Sequence, residues 1–388
     1  MLIPNNYPLK RLGISWEISE FHGWGVFALN LARTYFKNFN QHLKLLQAPN
    51  IDIEKFPFLG ASLSEWEANY QKYETKPNKN IHDDLTIIHS LGNDFVCTNS
   101  RHWGKRNIGF IFFEQSLFSS EGLARAQQFD LIVAGSRWNA EILAKAGVRK
   151  ISYVMQGVDT KLFRQSVPRS TAERFVIFSG GKLEFRKGQD IILAAFKVFH
   201  KKYPDSVLLT SWNSPWAETS QDLTHSPLGF GAPNIINNQI DVDEWCSRSG
   251  VPNSAFIHLG PTPNTLMPKI YDGVDIAIFT NRAEGGTNLV AMEAMASGVP
   301  TILSANTGHL DLISTNNCFI LAQQKGYDIP ALKGWGESDI AEVVQKLEYA
   351  YHHRSILPQV GNQGRKFIEQ FSWEQQMLQL INTSANFY

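Results

Sequence analysis

The chain has 388 residues, too many for one ordinary core, so two α/β-sized domains are expected. Its 43% hydrophobic and 19% charged residues describe a globular chain and exclude a disordered one. Lys+Arg and Asp+Glu both number 36, which leaves no net charge and none of the basic excess that a nucleic-acid backbone calls for.

The opening MLIPNNYPLKRLGISW lacks the charged-then-apolar order of a signal peptide. Strands are expected at Arg11–Trp16, Leu43–Gln47, Leu85–His89, Ile108–Phe113, Leu131–Ala134 and Ile151–Met155, with helices at Val26–Phe36 and Asn139–Ala146. After Gln156-Gly157-Val158-Asp159 and Phe163, residues 164–173 are polar, contain Pro168 and read as a linker. Alternation resumes with strands at Phe175–Phe178, Val207–Ser211, Ala255–Leu259, Ile276–Phe279 and Val299–Leu303, and helices at Asp190–Lys201 and Leu289–Ala296. The stretch from Trp373 to about Ile381 is helical and amphipathic. Such alternation predicts parallel sheets covered on both faces, since each parallel step needs a crossover. Ligands of such sheets bind beyond the carboxyl ends of the strands. No apolar run approaches the ~20 residues of a membrane span. Cys97, Cys246 and Cys318 are too few and too far apart for a disulfide framework or a metal cluster, which suits a reducing cytosol.

Two post-strand segments carry chemistry. Ser179-Gly180-Gly181-Lys182-Leu183-Glu184-Phe185-Arg186-Lys187-Gly188 combines glycines, three cations and a following helix start, which suits a diphosphate. The plainer reading is a solvated basic turn. Asn281-Arg282-Ala283-Glu284-Gly285-Gly286-Thr287-Asn288-Leu289 then leads into a helix with Glu293 among Val290, Ala291, Met292, Ala294, Met295 and Ala296. Thr287 or Asn288 can cap that helix and aim its free N–H groups and dipole at a phosphate. Gly285 and Gly286 permit close approach. Glu284 can accept hydrogen bonds from sugar hydroxyls. Glu293 wants a partner, either a ribose diol or an internal salt bridge.

Together, "GGKLEFRKG … EGGTNLVAMEAMASGVP" resembles the donor-binding half of the family 4 retaining glycosyltransferases, which have the GT-B fold. The resemblance implies two Rossmann-like domains facing a central cleft, over 1–163 and 164–370, with a last helix over 371–388 returning to the first domain. It places Lys182 and Lys187 on the donor diphosphate, with Gly181 and Arg186 beside them, Glu284 on the transferred sugar and Glu293 on the ribose. Two features depart from the family. Eight residues separate Glu284 from Glu293, one more than usual, and no aromatic stands between the glycines. Asn306-Thr307-Gly308-His309 resembles the family's next small-residue loop, and Phe371-Ser372-Trp373-Glu374 its last helix.

In the first half, Gly23-Trp24-Gly25 resembles the family's glycine loop near the donor phosphate. Ser136-Arg137-Trp138-Asn139 and the Gly157 segment serve architecture. Where many members carry a histidine, Glu114 follows Phe113, and His89 competes with it as a candidate catalytic residue. Both His89 and His22 have a structural alternative. Asp241-Val242-Asp243 spells a metal-binding string but reads as a helix start, so no metal is assigned. Trp212 and Trp216 are taken as core rather than sugar platforms.

The expected activity is transfer of a hexosyl-type group from a nucleoside diphosphate sugar to a hydroxyl of a glycan, a polysaccharide precursor or a small molecule, without metal or cofactor. The candidate catalytic residues are Glu284, Lys187, Lys182, Glu114 and His89. The candidate donor contacts are Gly23, Gly25, Gly181, Arg186, Gly285, Gly286, Thr287, Asn288, Leu289 and Glu293. The expected setting is the cytoplasm, with peripheral membrane contact left open. The rivals are a GT-B epimerase or phosphorylase and a catalytically weakened nucleotide-sugar binder.

Overall fold

Apolar runs such as Leu131–Ala134, buried at every position, form strands covered on both faces. The computed structural model describes residues 11–20, 22–74, 79–164 and 174–387. The chain divides into two units: Met1–Gly157 with Phe371–Tyr388, and Val158–Gln370. The division precedes Val158 rather than residue 164, and Phe163 packs at 6.1 Å from Tyr271 inside the second unit. Apart from Arg164, the expected linker 164–173 lies outside the described residues.

In chain order the first unit carries β1 (Leu12–Ile14), α1 (Gly23–Phe39), β2 (Lys44–Leu45), α2 (Gly60–Glu74), β3 (Asn80–Leu91), β4 (His102–Ile111), α3 (Ser120–Ala126), β5 (Leu131–Ala134), α4 (Arg137–Lys145) and β6 (Ile151–Tyr153). The strands form one parallel sheet in the order β2-β1-β3-β4-β5-β6.

The second unit carries β7 (Phe175–Gly180), α5 (Gln189–Lys202), β8 (Ser206–Ser211), β9 (Ile235–Ile236), β10 (Gln239–Ile240), α6 (Val242–Arg248), β11 (Phe256–His258), α7 (Met267–Tyr271), β12 (Ile276–Phe279), α8 (Leu289–Ala296), β13 (Thr301–Ser304), β14 (Phe319–Leu321), β15 (Gln324–Gly326), β16 (Gly336–Ser338), α9 (Ile340–His352) and α10 (Leu357–Ile368). Its main sheet is parallel, in the order β11-β8-β7-β12-β13-β14. The order reverses between β7 and β12. The loops leaving those two strands therefore emerge side by side at the carboxyl edge, where open α/β sheets bind ligands.

The last helix, α11 (Trp373–Asn386), belongs to the first unit. Ser372 and Gln375 start it with a reciprocal capping box. Trp373 packs edge-on against Phe27 of α1 at 5.9 Å, and Lys37 pairs with Glu374 at 2.7 Å. A Cβ at Gly157 would stand 2.5 Å from the Trp373 Cα, so only glycine lets this helix close in.

Candidate active site

The loop after β7 and the loop after β12 are stitched together. Gly188 has φ +69°, and a Cβ there would lie 2.2 Å from the Thr280 carbonyl oxygen. Glycine is thus required twice over, by conformation and by space. Thr280 Oγ1 donates to the Gly188 carbonyl at 2.7 Å, and the Arg282 N–H to the Arg186 carbonyl at 2.8 Å. The Arg282 side chain is fully buried. Its guanidinium donates to the Phe185 carbonyl at 2.7 Å, to both Asp190 oxygens at 2.8 and 2.7 Å, and to Glu337 at 3.0 Å. It also lies 4.0 Å above the Phe185 ring. A buried arginine with every partner in place holds its neighbours rigidly. Arg282 clamps the two loops and the start of α5 as one body.

That clamp sets Glu284, two residues on. The Glu284 carboxylate is buried at 5% exposure. Lys187 Nζ and Asn281 Nδ2 donate to its Oε1, and Arg186 Nη1 donates to its Oε2 at 3.1 Å. Arg186 also donates to the Ala283 carbonyl at 3.1 Å and pairs with Glu184. Burial pushes the Glu284 carboxyl up, but Lys187 and Arg186 outweigh it and hold its pKa at about 2. The loop after β13 closes behind. Thr307 Oγ1 accepts from the Glu284 N–H at 2.8 Å, and the Gly308 N–H donates to the Glu284 carbonyl at 3.0 Å.

Asn288, not Thr287, caps α8. It takes the left-handed conformation, φ 66°, which asparagine tolerates, and its Oδ1 accepts from the Ala291 N–H. Its amide nitrogen therefore faces His309 Nε2 at 3.1 Å, leaving the proton on Nδ1, 2.9 Å from Ser304 Oγ. Burial depresses the His309 pKa to about 4, so this ring is neutral. Thr287 is turned inward, its hydroxyl 3.1 Å from Met292 Sδ. Gly285 and Gly286 are buried, and Leu289 opens the helix half-buried.

Glu293 is half-buried one turn on. Asn264 Nδ2 donates to it at 2.8 Å, and the Tyr271 hydroxyl bonds to it as well. Burial raises its pKa to about 7, against the lowering effect of those two hydrogen bonds. Gly181 has φ +119° and open space where a Cβ would stand. Lys182 places its ammonium 4.2 Å over the ring of Trp216. Trp216 is 48% exposed, so it is not core. Trp212 is core, fully buried with its indole N–H on Ser179 at 3.0 Å.

Residues 173–331, which contain both stitched loops, match the family model for group 1 glycosyl transferases. That segment is similar to group 1 glycosyl transferases. No curated protein matches the sequence. Among solved structures, the chain is similar to HepE from Anabaena in complex with UDP and glucose, with 14% identity, TM-score 0.62 and coverage of 97% of this chain and 100% of that one. It is also similar to sucrose-phosphate synthase from Thermosynechococcus elongatus, at 14% identity and TM-score 0.63, covering 95% and 97%. A glycosyltransferase from Rickettsia africae matches at 11% identity and TM-score 0.64, covering 98% and 99%. The fold is GT-B.

The remaining candidates have local explanations. Gly23 is the exposed first residue of α1, and a Cβ at Gly25 would lie 2.4 Å from Ser19 Cβ. His22 caps α1, its Nδ1 accepting from the Gly25 N–H at 3.1 Å. His89, the other candidate catalytic residue of the first unit, sits in its core. It is fully buried, its Nε2 meets Asn107 Oδ1 at 3.0 Å, and Trp103 and Phe129 pack on it at 5.4 and 5.5 Å. Burial lowers its pKa to about 4. Glu114 lies half-buried in the loop after β4. The adjacent Phe113 backbone is clamped by the Asn139 amide at 3.3 and 2.8 Å. Asp241 caps α6 by accepting from the Glu244 N–H at 3.0 Å. Among the described residues no three His, Cys, Asp or Glu gather as metal ligands, and no helix is long and apolar enough to cross a membrane.

Sequence reasoning missed the clamp between the loops after β7 and β12. Its signal was present: an arginine two residues before Glu284 and an aspartate three residues after Lys187. It also missed Asn264 and Tyr271, whose distance along the chain from Glu293 hides the contact.

Proposed function

We propose that the chain transfers a sugar from a nucleoside diphosphate sugar to a hydroxyl group, with retention of anomeric configuration and without a metal ion. The observation that carries this reading is the convergence of Lys187, Arg186 and Glu284 where the strand order reverses, inside the segment similar to group 1 glycosyl transferases. When the bond to the anomeric carbon breaks, an oxocarbenium-like centre forms and negative charge grows on the diphosphate. Lys187, Lys182 and the first turn of α8 are the groups to meet that charge. Gly181, Gly285 and Gly286 let backbone come close, and the N–H groups of Thr287 and Leu289 lie at the start of α8. Glu284 takes the sugar's hydroxyls and Glu293 the ribose.

The Anabaena structures contain UDP and, in one case, UDP-glucose, so UDP-glucose is the first donor to try. The acceptor is a hydroxyl of a glycan, a polysaccharide precursor or a small molecule, met in the cytoplasm. A thermal-shift panel of nucleoside diphosphates and their sugars tests the donor class, followed by transfer assays in excess chelator. Stabilisation by one nucleoside diphosphate and its sugar is expected, and a panel with no stabilising member rejects the reading. Turnover abolished by chelator and restored by manganese overturns the metal-free part. An inverted anomer in the product, seen by NMR, overturns retention.

A further inference from the structure

Lys187, assigned to the donor diphosphate, and its neighbour Arg186 carry carboxylate partners of their own. Lys187 and Arg186 bring two positive charges, and Glu284 and Glu184 bring two negative ones. The pairing is divided by oxygen. Lys187 holds Oε1 of Glu284, whereas Arg186 holds Oε2 and is itself anchored by the Ala283 carbonyl and Glu184. A phosphate approaching Lys187 meets a buried carboxylate already on that ammonium, and two anions competing for one cation in a poorly solvated site repel strongly.

We propose that Glu284 is an internal counter-anion that the donor's diphosphate displaces from Lys187, and that Oε1, still held by Asn281, then receives the sugar hydroxyl in the place Lys187 leaves. This rests on the donor reading above. Arg186 is accordingly a positioning residue rather than a diphosphate contact. It keeps Oε2 fixed while Oε1 changes partner, so the carboxylate does not drift when Lys187 leaves it. One side chain thereby couples recognition of the leaving group to recognition of the transferred sugar. The acidic side chain stays ionised across the neutral range, so the exchange needs no proton.

The test is calorimetry with inorganic pyrophosphate and with UDP on the wild type, Glu284→Gln, Glu284→Asp and Glu184→Gln, alongside transfer rates. Glu284→Gln removes the competing charge with little change in shape. It is expected to bind pyrophosphate and UDP about tenfold more tightly, the worth of one charged hydrogen bond, while transfer falls by about a hundredfold. Glu284→Asp is too short to span to Lys187 and is expected to shift affinity the same way by less, so it carries the test if the glutamine variant does not fold. Glu184→Gln removes a carboxylate that pairs with Arg186 rather than Lys187 and is expected to gain less than about threefold. Equal or weaker binding by both Glu284 variants overturns the exchange, as does an equal gain with Glu184→Gln, which would reflect bulk charge. Tightened pyrophosphate binding with no UDP binding in any variant keeps the exchange and removes the nucleotide reading. UDP binding that Glu284→Gln leaves unchanged does the reverse.

Discussion

Glu293 stands near half-charge at neutral pH, since burial has raised its pKa to about 7. A ribose diol donates hydrogen bonds, so it prefers the carboxylate to the acid. UDP affinity is therefore expected to rise between pH 6 and 8, and Glu293→Gln should bind more weakly and lose that pH dependence in calorimetry. The same shift acts on folding. The folded pKa lies above the ordinary glutamate value of 4.5, so the folded state holds the proton more tightly. The stabilising contribution is full below about pH 4.5 and is lost as the pH rises through about 7. Denaturant titrations should show this slope in the wild type and a flatter one in Glu293→Gln. Lys187 gives a second residue-scale expectation. A charge-assisted bond to phosphate is worth about 1.5–3 kcal/mol, so Lys187→Ala should weaken UDP binding roughly ten- to a hundredfold and lower the maximal rate further, as charge builds on the leaving group. Residue type and spacing made Lys187, Glu284 and Glu293 candidates, and the family resemblance gave them roles. Their partners could not be read this way: Arg186 and Lys187 meet Glu284 across 98 and 97 positions, which only the folded sheet brings together.

At the scale of elements, Arg282 joins the two loops and α5. Removing it strands Asp190, which is fully buried and, among the described residues, is left with a hydrogen bond from Ser226. Breaking a buried pair from one side costs about 3–5 kcal/mol. Arg282→Met should therefore destabilise the second unit by that order in chemical denaturation, and adding Asp190→Leu should recover part of the loss. If the double variant is as unstable as the sum of the singles, the pair is not the clamp described. The strand–helix alternation was legible because near-continuous apolar runs and amphipathic stretches differ in period. What escaped follows from local weakness of that signal. β14 has three residues, too few for any period, and exists through its pairing with β13. β3 begins at Asn80, earlier than its apolar run, because polar residues there pair with β4. α1 starts at Gly23 rather than Val26 because its cap is a histidine, outside the usual capping residues.

At the scale of the molecule, two parallel sheets and a returning helix were predictable from the two alternating runs and the Phe371–Glu374 segment. The placing of the division was not, because Val158 and Phe163 look like the end of the first run and pack in the second unit. Deleting 371–388 should loosen the first unit selectively, since it uncovers Phe27 and removes the Glu374 partner of Lys37. Hydrogen exchange should show lost protection in α1 with β7 and β12 unaffected. Loss spread evenly over both units would contradict this assignment.

The return of α11 to the first unit also has a consequence for biosynthesis. Residues 158–370 form one uninterrupted unit and hold all they need as soon as they have emerged from the ribosome. The first unit is translated earlier but is sealed later, because the helix that covers Phe27 is encoded behind the whole of the second unit. The half made first is therefore the half finished last. Through most of translation its aromatic seam is the surface that a nascent-chain chaperone would meet.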